Sequence, residues 1–316
     1  MAIHVVTGGA GFIGSHLVRH LLADGHAVRV VDDLSVGRRE AVPAGAALTV
    51  ADINDTAAMA AALDGAAGCF HLAAVASVER CTRDLVGSHD TNLRGTLAVF
   101  DAAVKAGVPV VYASSAAVYG VPATVPLTEA SPTVPISAYG ADKLGCELHA
   151  RAAGPVLGLR SCGLRFFNVF GPGQDPSSPY SGVVSIFADR LARGEPLTVY
   201  GDGTQTRDFV YVGDVVRALR AALEVADTTA PVSNVCTGTA ITLLDLAAAL
   251  GDVLGRAPEI RHAPPRAGDI HTSLGDASRM AALLGLRAEV TLADGLAATL
   301  KAVSQRTDGL LPTNVR

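Results

Sequence analysis

Short β-branched runs alternate with amphipathic stretches through the first half of the 316-residue chain, and a glycine-rich turn joins the first run to the first helix. Beyond residue 171 the pattern loosens into Gly/Pro-rich loops and shorter elements. Together these predict an α/β fold: a Rossmann-type doubly wound parallel sheet followed by a smaller α/β domain that binds substrate. The expected boundaries are 1–170 for the first domain, with a returning segment around 208–238, and 171–316 mainly for the second.

In order, strands are expected at 4–6, 27–31, 47–50, 68–71 and 109–113, with helices at 11–24, 57–64 and 85–106. The runs are too short for helices, and their β-branched content favours strands. Strand and helix in alternation imply parallel pairing and right-handed crossovers. Pro122, Pro126, Pro132 and Pro135 exclude a continuous helix or central strand between them. A helix opens near Ser137, a plausible N-cap, and runs into the 150s. After a loop over 171–179 come a helix at 183–192, a strand at 197–200, the turn 201–203 and a strand around 209–212. Helices follow at 243–254 and 280–284, and residues 307–316 read as a loose tail.

Hydrophobic residues make up 49% and charged ones 17%, enough to bury a sizeable core. No apolar stretch approaches ~18 residues, which argues against a membrane span. The start of the chain lacks a basic segment and cleavage site, so a cytoplasmic location is expected. The net charge of −5 is spread without a basic block, which argues against nucleic acid as a partner. Five widely spaced cysteines give neither a disulfide framework nor a metal site, and no metal is expected.

Gly8, Gly11 and Gly14, with Phe12 and Ile13 between the last two, form a turn that lets backbone approach a pyrophosphate at a helix start. Asp32, followed by Asp33, ends the second strand at the spacing where a carboxylate accepts from adenosine ribose hydroxyls. NAD is therefore the expected cofactor rather than NADP, although Arg38 and Arg39 argue the other way. Asp52 and Ile53 fit the adenine edge, though Asp52 almost equally fits a solvated aspartate, and Leu72, Ala73 and Ala74 leave room for a dinucleotide. His71 reads as a structural histidine.

Tyr139 and Lys143 stand at i and i+4, on one face of a helix. A tyrosine titrates near ~10 when unperturbed, and a neighbouring ammonium favours the phenolate needed for general base work. Ser114 and Ser115 end the fifth strand, where open α/β sheets place ligands. Ser115 is expected to relay a proton to Tyr139, and local backbone capping is expected of Ser114 more than of Ser115.

The segments Thr-Gly-Gly-Ala-Gly-Phe-Ile-Gly (7–14), His-Leu-Ala-Ala (71–74), Ser-Ser-Ala-Ala-Val-Tyr-Gly (114–120), Tyr-Gly-Ala-Asp-Lys (139–143) and Leu-Arg-Phe-Phe-Asn-Val-Phe-Gly (164–171) occur in that order. Together they resemble the extended short-chain dehydrogenase/reductases, most closely the UDP-glucose 4-epimerase group, over nearly the whole chain. The resemblance implies a tightly held NAD, reduced and reoxidised within one turnover. Dehydratases of that family carry an Asp-Glu pair after the catalytic hydroxyl residue, and its decarboxylases carry a glutamate nearby; here Ala116 and Ala117 stand there. Epimerisation at C4 of a UDP-sugar is what remains. A uronate 4-epimerase, another NAD-dependent nucleotide-sugar enzyme and a non-catalytic NAD-binding sensor are the alternatives.

By the same resemblance, Arg207 and Arg266 match pyrophosphate-binding arginines, Asn168 a substrate-contacting asparagine, and 178–184, with Val183, the loop along the uridine. Asp269 belongs to the Arg266 motif, and Ser273 falls at the position that sets room for the sugar. A small residue there, with Ser77 in an Ala-Ser-Val run at 76–78, implies that UDP-GlcNAc/UDP-GalNAc is accepted beside UDP-Glc/UDP-Gal. A homodimer through the helices at 85–106 and 137–151 is implied as well.

Overall fold

The computed structural model describes residues 1–176, 182–265 and 270–308, the last three of these by backbone only. The chain begins β1 (Ile3–Thr7), α1 (Phe12–Ala23), β2 (Ala27–Asp32), β3 (Ala47–Val50), α2 (Thr56–Leu63) and β4 (Gly68–His71). It continues α3 (Val78–Arg83), α4 (Leu85–His89), α5 (Thr96–Ala106), β5 (Val110–Ser115), α6 (Ala138–Leu157) and β6 (Ser161–Phe166). Then come β7 (Asn168–Phe170), α7 (Val183–Ala192), β8 (Leu197–Tyr200), β9 (Thr206–Arg207), β10 (Phe209–Tyr211) and α8 (Val212–Glu224). The remainder is β11 (Val232–Val235), β12 (Ile241–Thr242), α9 (Leu243–Leu254), β13 (Ile260–Ala263), α10 (Ser278–Leu284) and α11 (Leu292–Asp308).

Seven strands form one parallel sheet in the order β11-β6-β5-β4-β1-β2-β3. Adjacent apolar residues on each strand serve opposite faces, as the two-residue period of a strand requires. Val6, Val30, Phe70 and Val111 pack with Leu17 and Leu21 of α1 and Val216 and Leu219 of α8. Their neighbours Val5, Val31, Cys69 and Val110 pack with Met59 and Leu63 of α2 and Val99 and Phe100 of α5. A third core, built on Phe187, Leu191, Leu197, Leu246, Leu250, Leu296 and Leu300, joins α7, β8, α9 and α11.

Register brings the carboxyl ends of the central strands level: Thr7 pairs with both Val31 and His71, and His71 with Tyr112. Ser137 caps α6 by accepting from the Gly140 amide at 3.1 Å. The helix expected over 85–106 is instead α4, a π-helical turn over Asp90–Gly95, and α5. In that turn the Asn92 side chain is drawn to Val75, accepting from its amide at 2.8 Å and donating to its carbonyl at 3.2 Å. Two expected boundaries also move. Val212 opens α8 rather than closing a strand, and residues 307 and 308 extend α11, which buries Leu296, Leu300 and Val303 on one face.

Candidate active site

A cavity of about 500 Å³ opens at the carboxyl ends of β1, β2 and β4. Gly8, Gly11, Phe12, Ile13 and Gly14 line one wall, Asp32 and Asp33 a second, and Asp52, Ile53, Leu72, Ala73, Ala74 and Ser77 a third. Gly8 has φ +70°, and a Cβ there would meet the Ala73 amide at 2.7 Å; a Cβ on Gly14 would meet the Gly8 carbonyl at 2.2 Å. Only glycine keeps this cradle open.

The Asp32 carboxylate accepts from the amides of Ala10 and Leu34, each at 2.9 Å, which fixes both oxygens while lone pairs remain for a ligand. Asp33 accepts from the Ser35 amide and hydroxyl, and Asp52 from the Asn54 amide. Thr7 Oγ accepts from the amides of Leu72 and Ala73 and so donates to His71 Nδ1 at 2.7 Å. Thr96 donates to the Asn92 carbonyl and accepts from His71 Nε2 at 2.9 Å. Both ring nitrogens are thereby used, and burial, with the charge of Lys143 second, pushes His71 down to about 3. It is a neutral structural histidine, as the sequence suggests.

The cavity has a lip that sequence reasoning missed: Gly173, Gln174 and Asp175, from the Gly/Pro loop after β7. His16 bonds the Pro172 carbonyl at 2.8 Å, and Arg38 pairs with Asp175. Of the two guanidinium groups that argue for NADP, Arg38 thus faces a carboxylate.

Ser115, Tyr139 and Lys143 lie outside the cavity lining. Lys143 is buried at 2% exposure, its ammonium 5.9 Å from the ring centre of the half-buried Tyr139. The first turn of α6 presses on the 3-10 turn Ala116–Tyr119, since a Cβ on Gly140 would meet the Ala117 carbonyl at 2.5 Å. That contact holds the turn after Ser115 against the turn of α6 that carries Tyr139. The capping expected of Ser114 falls to Ser115 instead. Ser115 caps the turn by accepting from the Ala117 amide at 3.1 Å, which leaves its own proton to donate. Ser114 is buried and donates to Glu147. Glu147 in turn holds Arg165 through two bonds, of 2.9 and 2.6 Å. Removing one partner of such a buried pair costs about 3–5 kcal/mol.

Among the residues expected to meet substrate, Ser77 caps α3 through the Arg80 amide at 3.0 Å. Asn168 opens β7 beside Phe209, and Val183 is the first residue of α7. Arg207 lies in β9 against Ile241, and Ser273 donates its amide to the Thr206 carbonyl at 3.2 Å, which sets Ser273 beside the Arg207 strand. Asp208, not singled out from the sequence, is buried and accepts from the amides of Thr237 and Gly238, fixing the chain after β11. A second cavity, about 860 Å³, is lined by Tyr200, Asp202, Gln205, His262 and His271. Arg266, Asp269 and residues 178–181 lie outside the described residues.

Among the described residues no cluster of His, Cys, Asp or Glu could hold a metal ion, and no helix is long and apolar enough to cross a membrane. All five cysteines are free and buried.

Residues 4–236 match the NAD dependent epimerase/dehydratase family. The chain is 38% identical over 310 residues to the UDP-glucose 4-epimerase of Mycolicibacterium smegmatis, covering 94% of this chain and 97% of that protein. Its structure is similar to that of a UDP-glucose 4-epimerase from Thermotoga maritima solved with UDP-glucose (TM-score 0.93, 37% identity, 96% and 99% covered). It is also similar to a UDP-N-acetylglucosamine 4-epimerase from Methanobrevibacter ruminantium in complex with UDP-N-acetylmuramic acid (TM-score 0.92, 34% identity, 96% and 99% covered).

Proposed function

Because the chain belongs to the NAD dependent epimerase/dehydratase family, we propose that it is an isomerase that inverts C4 of a UDP-sugar with NAD as its resident cofactor. The observation that carries this reading is the half-buried Tyr139 with the buried Lys143 one turn on, in the helix whose first turn packs on the turn that Ser115 caps.

The glycine cradle and the fixed Asp32 carboxylate suit a dinucleotide whose ribose carries free hydroxyls, and Arg38 is paired with Asp175. Bound there, NAD would supply a reversible hydride acceptor. Tyr139 takes the proton of the sugar 4-hydroxyl, and Ser115 bonds the same oxygen. Lys143 stabilises the negative charge left on the phenol oxygen. Ala116 and Ala117 offer no acid for elimination, so the sugar leaves with its substituents intact and only C4 inverted. Residues 1–170 with the returning segment 208–238 hold the cofactor in this reading, and the rest mainly holds the substrate.

Arg207 and Arg266 grip the pyrophosphate, and Asn168, Val183 and Asp269 complete the nucleotide side. With the small Ser273 at the sugar end, and Ser77 on the wall of the first cavity, both UDP-Glc/UDP-Gal and UDP-GlcNAc/UDP-GalNAc are substrates. Incubating the protein with a panel of UDP-sugars and identifying products by chromatography tests this reading.

The working unit is a homodimer. Leu85 and Val86 on α4 and Leu148, Val156 and Leu157 on α6 are exposed apolar side chains, from 55% to 79%, on the two helices expected to pair. Light scattering after size exclusion decides between one chain and two.

A further inference from the structure

A buried polar chain runs beneath Ser115. From Ser114 it passes to Glu147 and on to Arg165. Arg165 Nη1 donates to the Tyr119 hydroxyl at 2.9 Å and to the Glu129 carbonyl at 3.3 Å. The Tyr119 hydroxyl donates to Asn234 Oδ1 at 2.6 Å, and the Asn234 amide group donates to the Leu127 carbonyl at 2.8 Å. Ser114, Tyr119, Glu147, Arg165 and Asn234 are all buried.

The two arms of this chain attach on either side of Ser115. Ser114 precedes it, and Tyr119 ends the turn that Ser115 caps. Glu147 stands one helical turn beyond Lys143 and two beyond Tyr139, on the same face of α6. Arg165, on the neighbouring strand β6, lies opposite Ser114 in register. Its guanidinium therefore joins the turn after Ser115 to the helix that carries Tyr139, and Glu147 ties in the strand before Ser115.

On the assignment of Ser115 and Tyr139 given under Proposed function, we infer that Arg165 and Glu147 are positioning residues that clamp both flanks of Ser115 to the catalytic helix. The clamp holds the Ser115 hydroxyl within proton-passing reach of the Tyr139 phenol. Proton relay works only over hydrogen-bond distances, and a displacement of about 1 Å can cost about a hundredfold in rate. A fixed fork with five donors suits this task, because one planar group can hold the carboxylate and the phenol at once. A lysine has neither the plane nor the second arm.

The clamp is best tested at its ends, where the buried ion pair survives. Ser114→Ala and Tyr119→Phe each remove one hydroxyl. Each is expected to lower kcat about tenfold, with KM for the UDP-sugar and the content of bound NAD unchanged. Ser114→Thr, which keeps a hydroxyl, restores kcat. Arg165→Lys, where it folds, loses as much as the two end variants combined. Thr299→Val serves as control: it removes a buried hydroxyl bonded to the Gly295 carbonyl at 2.7 Å in α11, outside both cavity linings and the polar chain. It is expected to lower the melting midpoint without changing kcat.

Wild-type kcat in both Ser114→Ala and Tyr119→Phe overturns the clamp, and so does a loss that merely follows the melting midpoint across all variants, Thr299→Val included. A fully active Tyr139→Phe would instead remove the assignment beneath it. An inactive Tyr139→Phe beside fully active end variants removes the clamp alone.

Discussion

The ammonium of Lys143 lies 5.9 Å from the ring centre of Tyr139, one turn further along α6, on a side chain that is almost wholly enclosed. Tyr139 is the group proposed to take the proton of the sugar hydroxyl. Tyr139→Phe is expected to cut kcat by about 10³-fold, within the range of general acid–base contributions, while UDP-sugar binding survives. Steady-state kinetics with a separate binding measurement checks it; loss of both together would point to unfolding.

The cradle makes a second prediction. A methyl group at position 14 would overlap the Gly8 carbonyl, its Cβ only 2.2 Å from that oxygen. Gly14→Ala should therefore purify with much less bound dinucleotide than wild type. Extraction of the folded protein and chromatography of the released nucleotide measures this, and equal cofactor content would contradict it.

Much of this geometry is legible in the sequence. Short β-branched runs and the glycine turn mark the strands, and the carboxyl ends of those strands mark the cavity. The roles of Ser114 and Ser115 are not legible, because which of two adjacent hydroxyls turns inward depends on pairing with β6 and packing of α6. The Gly173–Asp175 lip and the turn over 90–95 escape for the same reason: each is fixed by partners remote in sequence, Arg38 for one and Val75 for the other. The α11 helix does show its spacing, with Leu296, Leu300 and Val303 on one face.

His71 gives stability a pH dependence. Its folded value, about 3, lies below the ~6.5 of an exposed histidine, so the unfolded chain binds an extra proton between those values. Stability is full above ~6.5 and falls as pH drops toward 3, by about 1.4 kcal/mol per pH unit for one proton. His4 and His16, also lowered by burial, add in the same direction. Urea midpoints should fall from pH 7 to pH 5, and His71→Gln should flatten that slope. A slope unaltered by the substitution would show that His71 is not its source.

Ser273 tests the sugar end of the proposal. Its backbone is bonded to Thr206, one residue before Arg207, so a larger side chain there is held in place. Ser273→Tyr should lose turnover of UDP-GlcNAc while keeping most of that of UDP-Glc. A parallel loss on both sugars would place the effect elsewhere than in the 2-acetamido space.

The most direct measurement is conversion of UDP-galactose by the purified protein with no cofactor added. UDP-glucose should accumulate to a fixed equilibrium ratio, approached from either sugar, with no net NADH released. Strict dependence on added NAD with stoichiometric NADH, or no conversion of any UDP-sugar by protein that carries its dinucleotide, would contradict the account.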